Sequence, residues 1–335
     1  MSKAMLKRFM LLVVVLTLAL SAAACAKQNT TTEGMVDPAQ LNPAATKAPE
    51  AGTALKTQYP LKVKDATGLE FTFDKAPERI VSVSPAETEA LFAIGLGDKI
   101  IGVSDYDDYP EAAKSKPKMG SITKPNQESL MAANADIVFT GISMKKDTVE
   151  KLRESKIKLF KVEPKTVDDV IADILLFGQI TDRQKEANEV VAKMKAERQK
   201  VTDAVKGVTA EKKKKVYLEF SPGWSVGNGE FLDELIQLAG GINVAAETKG
   251  WHQISEEKII QQNPAVIFYA SGFVDDKSKK SLDELIRGRS GWDKIEAVAN
   301  KQVIGVEQNL LTRPGPRMTE GLIIMAKAIY PELVK

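Results

Sequence analysis

Short apolar runs alternate with amphipathic stretches along most of the chain, beginning near residue 61. Two apolar runs, Leu61–Asp65 and Leu69–Phe73, flank Ala-Thr-Gly and predict a β-hairpin. Further short apolar runs predict strands at Arg79–Val83, Ile100–Val103, Ile137–Thr140, Lys158–Val162, Val216–Phe220, Ala265–Tyr269 and Gln302–Val306. Helical spacing of apolar residues predicts helices at Ala86–Ile94, Gln127–Ala133, Asp147–Ser155, Glu230–Leu238, Glu256–Gln262 and Arg317–Ile329. This alternation predicts an α/β fold with a largely parallel sheet.

The second half of the chain repeats the order of the first. Glu128–Phe139 aligns without gaps on Glu257–Phe268, with Glu, Asn and Phe identical and the apolar positions matched. Upstream of these, Glu89–Gly97 is similar to Asp233–Gly241. Two lobes of one architecture explain both matches, and the alternative is a chance similarity of helix–strand patterns.

A long amphipathic region separates the two repeats. Apolar residues fall on one helical face from Thr166, the period breaks near Gly178–Asp182, and a second amphipathic stretch follows. We therefore expect an N-terminal lobe at 59–165, an interlobe helix at 166–182, and a C-terminal lobe at 183–335 with the second helix packed on it. A helical connection predicts hinge closure of only a few degrees.

The N-terminus carries a targeting pattern. Lys3, Lys7 and Arg8 precede an apolar run of 16 residues, Phe9–Ala24. A spanning helix needs about 20 residues, so the pattern predicts an export signal at 1–24, with a membrane anchor helix as the alternative. Residues 26–58 are rich in Thr, Ala, Pro and Gly without apolar periodicity, which predicts a flexible tether.

The only cysteine, Cys25, directly follows three alanines at the end of the apolar run. The segment resembles a bacterial lipoprotein signal peptide, in which this cysteine is lipidated and becomes the first residue. Ala22 stands where such signals usually carry Leu. The resemblance implies a chain lipidated at Cys25, with the tether at 25–58, and anchored outside the cytoplasm to the cell membrane.

Composition excludes several classes of site. The 335 residues include one Cys and one His, which rules out an internal disulfide, a Cys-based zinc site and a multi-His metal site. Any catalytic triad would have to use His252, which we interpret as a solvent-facing loop residue. Without the signal, 44 Lys and Arg face 45 Asp and Glu, a net charge of −1. This balance gives no support for nucleic-acid binding.

Candidate ligand contacts follow the carboxyl ends of predicted strands, where open α/β sheets bind ligands. Tyr106, Trp224 and Trp251 are interpreted as loop aromatics that face the crevice between the lobes. Large planar side chains there suit a large, flat, partly apolar ligand, although each could instead cover a small core edge. Arg313 could reach an anionic group of that ligand.

Glu128 and Glu257 form a matched pair, because each lies in the first turn of an equivalent predicted helix. Such carboxylates stabilise the helix dipole by about 0.3–1 kcal/mol. Alternatively, matched acids on two similar lobes could meet matched basic sites on a partner with twofold symmetry. The residues alone leave both interpretations open.

Four segments together resemble a known family: Pro77–Glu89, Gly102–Pro110, Gly240–Val244 and Pro314–Arg317. They are similar to the helical-backbone class (class III) of ABC-transporter substrate-binding proteins, which serve vitamin B12, haem and ferric siderophore uptake. The resemblance covers about Leu61 to Leu333. It implies two Rossmann-like α/β lobes joined by a long helix, with the ligand cleft between them. It also implies that Glu128 and Glu257 dock onto a dimeric permease.

The cobalamin binders of this family provide the nearest match. Their cleft residues correspond to Ala86, Tyr106, Trp224 and Trp251, while Ile122 and Gly141 fill two positions that are aromatic there. The resemblance implies a corrinoid (cobalamin) ligand and no catalytic group, metal or cofactor of the chain's own. It further implies a monomer that delivers to a permease dimer with its ATPase.

Other readings remain open at this stage. A smaller corrinoid, a ferric siderophore or haem could occupy the same cleft. A chelatase-like tetrapyrrole enzyme would need an acid–base group, for which His252 is the obvious candidate. A surface adhesin on a tether would bind a protein instead of a small molecule.

Overall fold

The computed structural model describes residues 55–335. The predicted export signal, Cys25 and most of the predicted tether lie outside the described residues. The strands are β1 (Leu61–Lys64), β2 (Glu70–Phe73), β3 (Ile80–Ser82), β4 (Ile100–Val103), β5 (Ile137–Thr140), β6 (Leu159–Lys161), β7 (Lys215–Glu219), β8 (Trp224–Val226), β9 (Ile242–Asn243), β10 (Trp251–Gln253), β11 (Val266–Ser271) and β12 (Val303–Glu307).

The α-helices of the described residues lie between these strands, except the last two, which follow β12. They are α1 (Pro85–Ala93), α2 (Glu111–Lys114), α3 (Gln127–Ala132), α4 (Lys146–Glu154), α5 (Val167–Thr181), α6 (Gln184–Val205), α7 (Phe231–Leu238), α8 (Glu256–Gln262), α9 (Leu282–Arg287), α10 (Glu296–Ala299), α11 (Gln308–Thr312) and α12 (Met318–Ile329). Within residues 55–335, none of them combines the length and hydropathy that a membrane crossing requires.

Two four-stranded parallel sheets form the centres of two lobes. The first has the order β4-β3-β5-β6 and the second the order β12-β11-β7-β9. Read from the other edge, the second order becomes β9-β7-β11-β12, in which each strand takes the place of its counterpart. The predicted α/β fold with two lobes of one architecture is confirmed.

The aligned repeat adopts the same local geometry in both lobes. Asn134 and Asn263, which the alignment pairs, both lie just beyond the last turn of their helix with φ of 48°, in the left-handed region. Left-handed backbone favours Asn over most residues because its short polar side chain tolerates that region. Phe139 and Phe268 then follow on the central strands β5 and β11, fully buried in both cases. The repeat in the sequence is therefore a structural repeat.

Helix α5 connects the lobes and is fixed at both ends. Thr166 and Asp169 form a reciprocal capping box at its N-terminus, and the Glu234 carboxylate of α7 accepts a hydrogen bond from the Val167 amide at 2.6 Å. At the other end, the Thr57 amide donates to Asp182 Oδ1 at 2.7 Å. Thr57, near the end of the predicted tether at 25–58, is thus already bound to the end of α5.

Helix α6, the second amphipathic stretch of the sequence, runs for 22 residues. Its apolar face packs against α5 and α12, so the three helices form a layer, of which α12 contacts strands β11 and β12 of the C-terminal sheet. The core runs continuously from this layer into both lobes, with Phe177 of α5 packed edge-on against Phe139 at 4.9 Å. A shared core of this kind restricts the lobes to small relative movements.

Candidate functional site

A cleft between the lobes contains two adjoining cavities, of about 540 and 480 Å³. The first cavity lies against α1, the β4–α2 loop and α11, and the second lies against Phe220, Glu230 and Trp251. Ile142, Ser143 and Thr312 line both cavities, which makes the cleft continuous. Each volume falls in the range typical of small-molecule sites.

Three of the predicted ligand-binding residues line the first cavity: Ala86, Tyr106 and Arg313. Ala86 is the second residue of α1, directly behind the carboxyl end of β3. The backbone at Gly315 approaches it so closely that a Cβ there would lie 3.2 Å from the Ala86 carbonyl oxygen. The absence of a side chain at Gly315 therefore permits the close approach of this backbone to Ala86.

The loop after β4 presents Tyr106 to the cleft. Asp107 Oδ2 accepts hydrogen bonds from the Ser104 amide and hydroxyl, and the Tyr106 amide donates to Ser104 Oγ. This tight turn buries Asp107 while Tyr106 stays 58% exposed. A large exposed aromatic at the mouth of a cavity is a surface that a flat ligand could cover.

The Glu87 carboxyl lies beneath the first cavity and was missed by the sequence analysis. It is 3% exposed, and its Oε2 has no hydrogen-bond partner within residues 55–335. Gly141 packs against it so closely that a Cβ would come within 2.6 Å of both carboxyl oxygens. The Glu87 carboxyl thus occupies space that a side chain at 141 would need.

Burial raises the pKa of Glu87 to about 7, and the neighbouring Asp107 charge acts in the same direction. Burial also raises the pKa of Asp107, and it raises that of Asp173 to about 8 with help from the Glu87 charge. The nearby ammonium of Lys161 pairs with Glu163 at 2.9 Å. Of these three carboxyls, Glu87 and Asp107 are buried beside the first cavity, whereas Asp173 is half-buried on α5 and lines a separate cavity.

Arg313 connects the two lobes across the cleft. Its Nη1 lies 2.9 Å from Glu89 Oε1 on α1 and 2.8 Å from Asp108 Oδ1, and its Nη2 donates to the Tyr106 carbonyl. Arg317 also pairs with Glu89 through two hydrogen bonds of 2.7 and 2.9 Å. An anionic ligand group at Arg313 would therefore share the guanidinium with two protein carboxylates.

The two cleft tryptophans lie on strands and not on loops, which corrects the sequence interpretation. Strand β8 pairs antiparallel with β10, with Trp224 opposite Gln253 and Trp251 opposite Val226. The Trp251 ring packs edge-on against Phe220 at 4.9 Å and lines the second cavity. Trp224 lies at the end of this ribbon, 40% exposed and outside the lining of both cavities.

His252 also lies on β10 instead of on a loop. Its ring contacts the Thr248 hydroxyl and the Gly250 carbonyl oxygen. Among the described residues, no group of three or more His, Cys, Asp and Glu side chains is arranged to hold a metal ion.

Glu128 and Glu257 occupy the same position in the two lobes, each as the second residue of its helix, α3 or α8. Both are exposed. Among residues 55–335, neither carboxylate has an ion-pair partner within 4.0 Å. The two acids are therefore available at equivalent sites on the lobe surfaces.

Comparisons with known proteins agree with this architecture. Residues 80–310 match the family model described as periplasmic binding protein. The chain is 31% identical to the ABC transporter substrate-binding lipoprotein YvrC of Bacillus subtilis, covering 83% of this chain and 88% of that one. It is 28% identical to the cobalamin-binding protein of Halobacterium salinarum, covering 81% and 74%.

A solved structure from Staphylococcus epidermidis, titled a possible iron-binding (periplasmic solute-binding) protein, is also similar. The two chains are 32% identical, with a TM-score of 0.64 over 76% of this chain and all of the other. The fold therefore extends over nearly all of the described residues.

Proposed function

The chain belongs to the periplasmic binding protein family, and from that premise we propose that its cleft captures a corrinoid, cobalamin in particular. It is the substrate-binding component of an ABC transporter for ligands of the vitamin B12, haem or siderophore type. It acts outside the cytoplasm with a permease and an ATPase as partners. As predicted from the sequence, it is not an enzyme.

The main support for a corrinoid is the cleft with its aromatic surfaces. Trp251 and Phe220 form an apolar wall on the C-terminal lobe, and Tyr106 stands exposed at the opposite rim. A corrin ring offers a broad face for such contacts and amides at its edge for polar ones. We propose Ala86, Tyr106, Trp224, Trp251 and Arg313 as its binding residues. The 28% identity to a cobalamin-binding protein supports the same ligand.

Tryptophan fluorescence provides a direct test of this ligand. Cyanocobalamin should quench emission and raise the thermal midpoint, because Trp251 lines the second cavity and Trp224 lies at the end of the same two-stranded ribbon. Trp224→Ala and Trp251→Ala should each weaken binding. Leu69→Ala, which removes an exposed apolar side chain beside the β1–β2 hairpin, is the control. Absence of quenching and of thermal stabilisation with every corrinoid tested would refute the proposal.

A ferric siderophore is the second candidate ligand, favoured by the similarity to the Staphylococcus epidermidis structure. The polar side chains of the first cavity, including Asp105, Asn309 and Gln308, could serve a hydrophilic chelate. Siderophores and haem belong in the same thermal-shift screen. Stabilisation by one of these and not by corrinoids would reassign the ligand.

We further propose that Glu128 and Glu257 dock onto basic groups of a twofold permease. Their equivalent positions, exposure and lack of ion-pair partners among the described residues support this role. Glu128→Lys with Glu257→Lys should abolish ligand uptake by cells while ligand binding stays intact. The control reverses two other exposed acids, Glu154 and Glu332. Uptake that survives the first double reversal would refute the docking role.

We also propose that a lipid on Cys25 anchors a monomeric receptor to the cell membrane. Two or more acyl chains on one residue give stable attachment. Cys25→Ala should release the protein into the medium and abolish its labelling by radioactive palmitate. Unchanged labelling in this variant would place the lipid elsewhere.

A further inference from the structure

The buried carboxylate of Glu219 ends strand β7 and holds four hydrogen bonds. Its Oε1 accepts from the Gly223 amide at 2.9 Å and from Arg289 Nη2 at 2.5 Å. Its Oε2 accepts from the Tyr217 hydroxyl at 2.9 Å and from Arg289 Nη1 at 2.6 Å. The side chain has no exposed surface. Breaking the Glu219–Arg289 pair would be costly, because it would leave a buried carboxylate without a compensating charge.

The hydrogen bond from the Gly223 amide means that Glu219 holds the turn that presents Trp224. Gly223 has φ of 74°, and Trp224 donates its amide to the Ser221 carbonyl at 2.8 Å. The Gly223 carbonyl in turn accepts from the Ile254 amide, just beyond β10. The turn is therefore tied on one side to the Glu219 carboxylate and on the other to the end of the tryptophan ribbon.

Arg289 reaches a second acid on the opposite side. Its Nε lies 3.2 Å from Glu256 Oε1, and Glu256 is the first residue of α8 with a side chain that is 55% exposed. The guanidinium carbon also stacks over Trp292 at 4.5 Å. One arginine thus connects a surface carboxylate beside Glu257 with the buried carboxylate that holds the Trp224 turn.

We propose that Arg289 is a positioning residue that couples the exposed end of α8 to ligand affinity in the cleft. Two carboxylates and the Trp292 ring together fix the plane of its guanidinium. When a cationic partner captures Glu256, that plane loses one of its supports, and Glu219 with the Gly223 turn becomes less ordered. Part of the binding free energy is then used to order the turn, so the affinity for the ligand falls.

The coupling rests on the proposed function only for the identity of partner and ligand. In a transporter, it would make contact at α8 favour release of the ligand, and linkage requires that ligand binding weaken the same contact equally. Glu256 is the carboxylate that can leave Arg289 for a partner, since an exposed ion pair contributes little to stability.

The test neutralises the surface acid and measures the cleft. Glu256→Gln should weaken cyanocobalamin binding by about 5-fold, the lower end of typical coupling, through faster dissociation. The control is Glu296→Gln, an exposed acid that is likewise the first residue of a short helix. A double-mutant cycle of Glu256→Gln with Trp224→Ala should be non-additive, and it should become additive in Arg289→Lys, which keeps the charge without the planar fork.

A second measurement needs no ligand. Acrylamide quenching of Trp224, obtained by subtracting the matching Trp224→Phe protein, should increase in Glu256→Gln and not in Glu296→Gln. An increase without cyanocobalamin binding would support the coupling and refute the ligand. Equal affinity and equal quenching in the two Gln variants, with cyanocobalamin bound, would refute the coupling and leave the ligand standing.

Discussion

Glu87 should make the stability of the protein depend on pH, and the sign follows from its position beneath the cleft. Burial raises its pKa from 4.5 to about 7. Between these values the unfolded chain ionises while the folded protein keeps its proton, so the folded state is progressively disfavoured as pH rises. The effect is absent below about pH 4.5 and complete above about pH 7. This rise in the pKa of Glu87 corresponds to a loss of about 3 kcal/mol in the free energy of unfolding above pH 7.

Glu87→Gln keeps the shape of the side chain and removes its ionisation. We expect the variant to exceed the wild-type stability by only about 1 kcal/mol at pH 5 and by about 3 kcal/mol at pH 8.5. For a folded part of this size the gain is a rise in thermal midpoint on the order of 5 °C. Removing the Glu87 charge should also ease the ionisation of Asp173, whose raised pKa depends first on burial and then on Glu87.

Differential scanning calorimetry from pH 5 to pH 9 measures this difference directly. Glu154→Gln makes the same chemical change at an exposed position of α4 and is the control. The decisive quantity is the gap between wild type and Glu87→Gln as a function of pH. A gap that stays constant across this range would mean that the buried carboxyl does not titrate there, and the reasoning would fail.

Three other substitutions test the frame of the cleft. Gly227→Ala places a Cβ 2.1 Å from the Thr248 carbonyl oxygen, so thermal unfolding and ligand titration should show loss of both stability and affinity. Arg317→Ala leaves the buried Glu89 with only half of its cationic partners, and urea denaturation should show a loss of about 3 kcal/mol. Phe268→Ala opens the centre of the C-terminal sheet and should cost about 3–5 kcal/mol in the same assay.

Each of these substitutions has a control at a position where little stability should be lost. Gly207→Ala meets no atom within 4 Å, Arg198→Ala breaks a pair with the exposed Asp168, and Leu69→Ala removes an exposed side chain. Equal losses in a test variant and its counterpart would contradict the corresponding packing or charge argument.

The lobes could be predicted because most of their strands and helices are visible as apolar patterns within short stretches of sequence. Strands β4 and β5 coincide with apolar runs, and α8 begins and ends where its pattern does. The repeated Glu…Asn…Phe spacing indicates the duplication, and Asn134 and Asn263 follow their helices with the same φ of 48°. Local pattern and tertiary structure agree at these positions, as expected for a minimally frustrated sequence.

The β8–β10 ribbon could not be predicted, because its two strands have three residues each and pair across 24 intervening residues. No periodicity is visible in segments so short. Glu87 and Glu219 were missed for a related reason. Composition places glutamates at the surface, and only the assembled lobe buries them. Their position at or just after the carboxyl end of a strand was the one available signal.

The two walls of the cleft differ in a way that bears on how a ligand lies there. The C-terminal wall is apolar and aromatic around Trp251 and Phe220. The N-terminal side offers the aliphatic Ile122 and the Glu87 carboxyl, which packs against Gly141. Apolar area binds without direction, whereas polar groups fix orientation. A corrinoid would therefore lay its ring face on the tryptophan side and direct its edge amides toward the first cavity.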